Sequence, residues 1–194
     1  MHLLAREVRT LDDEQGAVDL GQTPGEVVFL SFSDSDLGAA AAAWQAMGAD
    51  RPTLRLASLA RLRHPMSVDM YVEQVIAHAR CVVVRLLGGL DYWQYGAQEI
   101  AAVCRAHGIP LAMIPGDARD DTRLGELCTA PTVSTAMLEA YLRHGGPANL
   151  TQALRLAAHL GGVGGPPTEP PAELPAAGLF GLPAQEDFGT RGAS

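Results

Sequence analysis

Cysteine is scarce in this chain. Cys81, Cys104 and Cys128 are the three present in 194 residues. An odd number at such wide spacing excludes a disulfide framework and a CxxC-type zinc knuckle, and it fits a reducing cytoplasm. Basic residues are also few: 14 Lys plus Arg stand against 22 Asp plus Glu, a formal net charge of -8. No basic stripe exists to follow a phosphate backbone, so nucleic acid is not an expected partner. Long apolar runs are missing too. The first 13 residues hold an apolar run of three before charges begin, and no stretch reaches membrane-spanning length, so neither export nor insertion is expected.

What is present is 47% hydrophobic residues, enough for one globular core. Cys81 to Leu87 is β-branched and almost uninterrupted in its apolar character, which is the pattern of a strand covered by helices on both faces. Further strands are expected over 26–32, 53–57 and 111–116. Helices are expected over about 37–47, 67–79, 92–107, 134–144 and 150–159, with Gly108 and Pro110 closing the third. Strands alternating with helices predict an α/β fold: a three-layer, flavodoxin-like doubly wound parallel sheet with flanking helices. Residues 1–160 would form this domain. From Gly161 the composition turns to Gly and Pro, and 161–194 reads as an extended linker or the start of a next domain, in a chain cut from something longer.

The junction after the central strand, Arg85-Leu86-Leu87-Gly88-Gly89-Leu90-Asp91-Tyr92-Trp93, is the leading site candidate, because ligands of open parallel sheets sit beyond the strands' carboxyl ends. Gly88 and Gly89 can take positive φ and let the backbone approach a ligand. Equally, they can make no more than a tight turn, since neither a phosphate-loop lysine nor a complete GxGxxG accompanies them. Arg61 and Arg63 could pair with carboxylates of an acidic small molecule, and His64 could ligate a metal or move a proton, against the plainer reading of an exposed loop. Ser67 reads as the cap of the following helix, and Ser33-Asp34-Ser35-Asp36 as a helix cap in preference to a cation site. Cys104 and His107 are two ligands at most and make no zinc site. Asp117, Asp120 and Asp121 fall near the cleft rim, and Phe180 and Phe188 are too sparse to define a motif.

Three runs carry a family resemblance: Val27 to Leu37, Leu62 to Asp69, and above all Arg85 to Gly96, together with Ile114-Pro115-Gly116-Asp117 and the proline-rich exit after Leu160. In this order they resemble the amino-terminal region of the large subunit of aerobic cobaltochelatase, itself similar to the large subunit of magnesium chelatase. The likeness covers about residues 1 to 180, and the family's members are several times longer. It implies a tetrapyrrole-binding subunit that inserts cobalt into hydrogenobyrinic acid a,c-diamide on the aerobic route to cobalamin, in the cytoplasm. Two smaller partners, one an AAA+ ATPase, would bring ATP and Mg; cobalt is a substrate ion, and no tightly bound cofactor or metal is expected on this domain. The residues that the resemblance and the chemistry jointly assign to substrate are Arg63, His64, Arg85, Gly88, Gly89, Tyr92 and Trp93, with Tyr92 and Trp93 lying against the ring face unless Trp93 is buried in the core. Catalytic residues stay unassigned. A docking or regulatory domain of the same fold, contacting the rest of the chelatase, is the alternative. A cobalamin- or flavin-type sensor is disfavoured, because the Asp-x-His-x-x-Gly motif is absent.

Overall fold

A computed structural model describes residues 16–49, 51–117 and 121–173. Four parallel strands, β1 (Val27–Ser31), β2 (Leu54–Ser58), β3 (Cys81–Leu86) and β4 (Leu111–Pro115), lie in the order β2-β1-β3-β4. Val28 is in register with Val82 and with Arg55, and Val84 with Met113. This is the doubly wound order expected. Side chains alternate along the strands, so each face builds its own core. Val28, Leu30, Val82, Val84 and Leu111 pack under α2 (Pro65–Gln74), α3 (Gln94–His107) and the short α4 (Thr122–Leu127). Val27, Phe29, Val83 and Ile114 pack under α1 (Asp34–Ala46), α5 (Thr132–His144) and α6 (Gly146–Leu160). β1 and β3 are buried along nearly their whole length, which is why they read as continuous apolar runs.

Helix boundaries move from expectation for local reasons. α1 starts at Asp34, three residues early, because the Ser33 hydroxyl accepts from the Asp36 N–H. α2 begins at Pro65 with His64 as its cap, Nδ1 accepting the Met66 N–H at 3.1 Å. Ser67 is therefore not the cap. It is buried, and its hydroxyl accepts the Val18 N–H at 2.8 Å, tying the amino-terminal segment across α2. α3 starts only at Gln94, because Leu90–Tyr92 first makes a 3-10 turn. Its end is as expected, with Gly108 at φ 66. α4 had no apolar periodicity long enough to announce it.

The proline-rich exit is not a free linker over its described part. Residues 166–173, with a bend at Thr168 and Glu169, run back along α5 and α6, held by buried amides. Asn149 accepts the Ala172 N–H at 3.0 Å and donates to the Ala172 carbonyl at 2.8 Å. Gln152 does the same with the Thr168 N–H and hydroxyl. The Tyr141 hydroxyl donates to the Glu169 carbonyl. Prolines pre-set an extended backbone, so little entropy remains to lose, and the three polar side chains find partners that burial otherwise denies them. Residues 174–194, with Phe180 and Phe188, and residues 1–15 and Asp120 lie outside the described residues. Among the described residues no helix is long and apolar enough to cross a membrane.

Candidate functional site

β1 and β3 are neighbours, yet the helices that follow them depart to opposite faces: α1 joins one core and α3 the other. Their carboxyl ends thus flank the topological switch point, where such sheets leave a crevice. Ser31, fully buried, donates to Asp36 Oδ2 at 2.8 Å and accepts the Ser33 N–H. Asp36 Oδ1 in turn meets Arg85 Nη1 at 2.8 Å, the two side chains only 18% and 16% exposed. Asp36 is thus both helix-start acid and counter-ion. Arg85 Nε is buried without a hydrogen-bond partner among the described residues.

Beyond β3 the chain turns through Gly88 and Gly89 at φ 83° and 75°, the left-handed region that only glycine enters cheaply. The Gly88 N–H donates to Asp117 at 3.3 Å and the Leu90 N–H to Asp121 at 2.9 Å. A Cβ on Gly89 would stand 2.9 Å from that Asp121 carboxylate. Arg123 closes the cluster, forked onto both Asp91 oxygens at 2.8 and 3.0 Å and onto Asp121. Its guanidinium, with the Leu90 N–H, holds the Asp121 carboxyl down at about 2 and pulls Asp91 below the usual carboxylate range; the carboxylates reciprocally raise Arg123. Because the folded value lies below the unfolded one near 3.9, the stabilisation is complete above about pH 4 and lost as pH falls toward 2. Asp121→Asn should lower stability at pH 7 and flatten the acid limb between those values. Acid titration by circular dichroism checks this, and an unchanged limb refutes it.

Tyr92 rises from this loop, 55% exposed, its ring edge-on to Phe32 at 5.0 Å. Arg63 donates to the Tyr92 hydroxyl at 2.6 Å, with its guanidinium 5.4 Å from the ring centre. Trp93 turns the other way. It is 6% exposed and donates from Nε1 to the Leu62 carbonyl at 2.8 Å, so it stitches the α2 approach to the α3 approach from inside the core while lining the floor of the adjacent cleft. Tyr95, exposed on the next turn, donates to Asp69. Arg63, Tyr92, Tyr95 and Gly96 line a cleft of about 330 Å³. Of the seven residues singled out, Arg63, Tyr92 and Trp93 thus meet around one cleft, Gly88 packs beneath the Tyr92 ring, and Arg85 is committed to Asp36. His64 has Nδ1 engaged in capping. Asp91 and Arg123 escaped sequence reasoning; the close Asp121-x-Arg123 spacing was a weak signal for half of the cluster. Cys81 and Cys104 are core thiols, pushed by burial up to about 12 and so inert at neutral pH.

No family model matches the chain. It is 41% identical over 160 residues to the aerobic cobaltochelatase subunit CobN of Sinorhizobium sp, and 39% identical over 155 residues to that of Pseudomonas aeruginosa. These matches cover 82% and 80% of this chain but 12% of each relative, so the chain spans about one eighth of their length. The catalytic subunit of cobaltochelatase from Mycobacterium tuberculosis shares the fold over 84% of this chain and 12% of its own, with a TM-score of 0.63 and 26% identity. By this similarity the chain belongs to the family of the CobN subunits of aerobic cobaltochelatase, of whose length it represents 12%.

Proposed function

We propose that this chain is part of the tetrapyrrole-binding large subunit of an ATP-dependent cobaltochelatase. That subunit inserts cobalt into hydrogenobyrinic acid a,c-diamide, with ATP and Mg handled by two smaller partner subunits, one of the AAA+ class. Kinship with CobN subunits supports the general role. The local one rests on a single arrangement: an exposed Tyr92 ring with the Arg63 guanidinium beside it, at the rim of the switch-point crevice. A flat apolar ring next to a planar fork of donors suits a flat macrocycle edged with carboxylates. The domain by itself is expected to carry no chelatase activity, since it spans only 12% of each relative's length.

The alternative, a docking domain, is favoured by one observation. Arg85 and Arg123 already pair with Asp36, Asp91 and Asp121, so both guanidinium groups are engaged within the domain. Titrating the chain with hydrogenobyrinic acid a,c-diamide, read by ring absorbance and tryptophan quenching, separates the two. Saturable binding that falls about tenfold in Tyr92→Ala and in Arg63→Gln supports the substrate role, one lost charge-assisted contact being worth roughly 1.5 to 3 kcal/mol. Absence of binding, or binding indifferent to both changes, leaves docking.

A further inference from the structure

The opposite edge of the sheet carries a second pocket. α1 runs back from the carboxyl end of β1, and α6 ends against Arg80, just before β3, so the ends of both helices lie at the amino edge, far from Tyr92. Between them and the start of the proline-rich strap opens a cavity of about 290 Å³, lined among the described residues by Arg51, Arg155, Gly48, Gly164 and Gly165 and by no Asp or Glu; Asp50 lies outside the described residues. That is unusual ground in a chain of net charge -8.

The two arginines are differently placed. Arg51 is fixed: its guanidinium lies 4.0 Å above the Trp44 ring, and Nη1 donates to the Gln45 and Met47 carbonyls at the end of α1, while Nη2 and Nε make no hydrogen bond among the described residues. Arg155, half-buried on α6, makes no hydrogen bond or ion pair among the described residues at all. The opposite wall is main chain. The Gly164 and Gly165 N–H groups likewise have no acceptor among the described residues, and Gly164 approaches α6 so closely that a Cβ there would meet Ala158 at 2.9 Å. The wall is held in place, because the strap that continues from it is clamped by Gln152 and Asn149. Two guanidinium groups line one cavity with two exposed glycines, and among the described residues no carboxylate lines it, so the site has donors to offer an acceptor.

We infer that this amino-edge pocket binds a small oxyanion-bearing molecule, the phosphate or carboxylate group of which is forked by Arg155 and Arg51 and capped by the Gly164 and Gly165 N–H groups. The site is independent of the tetrapyrrole reading and stands or falls without it.

The test uses the 194-residue chain with inorganic pyrophosphate in one arm and citrate in the other, each against sodium chloride of equal ionic strength. Binding is read by quenching of Trp44 in a Trp93→Phe background and, in the unaltered chain, by calorimetry. The expected result is saturable binding in at least one arm, weakened about tenfold by Arg155→Gln. Arg155 makes no hydrogen bond or ion pair among the described residues, so this change should leave the fold intact, and Arg155→Lys should recover only part of the affinity, having a charge but no fork. Stronger binding of pyrophosphate identifies a phosphate-bearing ligand; stronger binding of citrate, a carboxylate-bearing one. No saturable binding in either arm, or equal affinity in Arg155→Gln, overturns the inference.

Discussion

Replacing Gly96 by alanine should destabilise the domain by about 2 kcal/mol, and by valine or leucine considerably more. The sign is opposite to intrinsic preference, since Gly→Ala inside a helix ordinarily gains up to about 1 kcal/mol. Packing decides otherwise. A methyl group at Gly96 would lie inside the van der Waals envelope of the Trp93 indole, which cannot retreat because it is buried and its Nε1 is bonded to the Leu62 carbonyl. Relief requires either breaking that bond in a dry environment or lifting the first turn of α3 off the sheet. Gly38, in α1 with nothing within 4 Å of its absent Cβ, is the control: Gly38→Ala should stabilise by about 0.5 to 1 kcal/mol. Urea denaturation followed by near-ultraviolet circular dichroism of the tryptophans measures both. Equal effects of the two substitutions would show that the indole does not hold the α3 start. The Gly96 change should also disturb the Arg63–Tyr92 cleft, because the Leu62–Trp93 bond lies directly beneath the two loops that form it.

The second large effect is expected at the Asp36–Arg85 pair. Asp36→Ala removes the counter-ion of a guanidinium that is 16% exposed, leaves the buried Ser31 hydroxyl without its acceptor, and strips an acid from the first turn of α1. Breaking a fully buried pair costs about 3 to 5 kcal/mol, and the residual solvent access here places the expectation at about 2 to 3 kcal/mol. Combining Asp36→Ala with Arg85→Leu should restore much of the loss, because no unpaired charge then remains. The coupling in that double-mutant cycle is the quantity to measure. A value within about 0.5 kcal/mol of additivity would mean that the two charges are not an energetic unit. A large coupling means that Arg85 acts on any ligand only after Asp36 has let go of it, which makes Arg85 a positioning residue for the crevice before it is a contact.

Much of the architecture was legible because its causes are local. Val82, Val83 and Val84 announce a strand buried on both faces whatever surrounds them, and Gly108 before Pro110 stops α3 by backbone geometry alone. The caps were legible only in kind. Ser33 behaves as a serine before a helix should, whereas Ser67, expected as a cap on the same grounds, is not one. Pro65 cannot donate a backbone hydrogen bond and so favours the first helical position, which places His64 at the cap and carries Ser67 inside, where its hydroxyl serves Val18 instead.

The site was legible as a place but not as a set of partners. Parallel strands with helices on both faces oblige a crevice at the strands' carboxyl ends, and a glycine pair following the central strand marks its floor; both follow from residue type and order. Which charges meet there does not. Asp36 and Arg85 are 49 residues apart, and Arg123 reaches Asp91 across 32, distances over which no periodicity carries information. Trp93 and Tyr92 are neighbours of similar chemistry, yet one is core and the other surface, because a 3-10 turn, not an α-helix, precedes α3. The strap shows the same division. Its prolines dictate an extended backbone anywhere, but only the side-chain amides of Asn149 and Gln152, presented on one face of α6 by helical spacing, decide that the extended chain lies against the domain instead of leaving it. Local conformation is chosen within a few residues, by sterics and by hydrogen bonds to near neighbours. Pairing across the fold is chosen by which distant groups burial deprives of water at the same point.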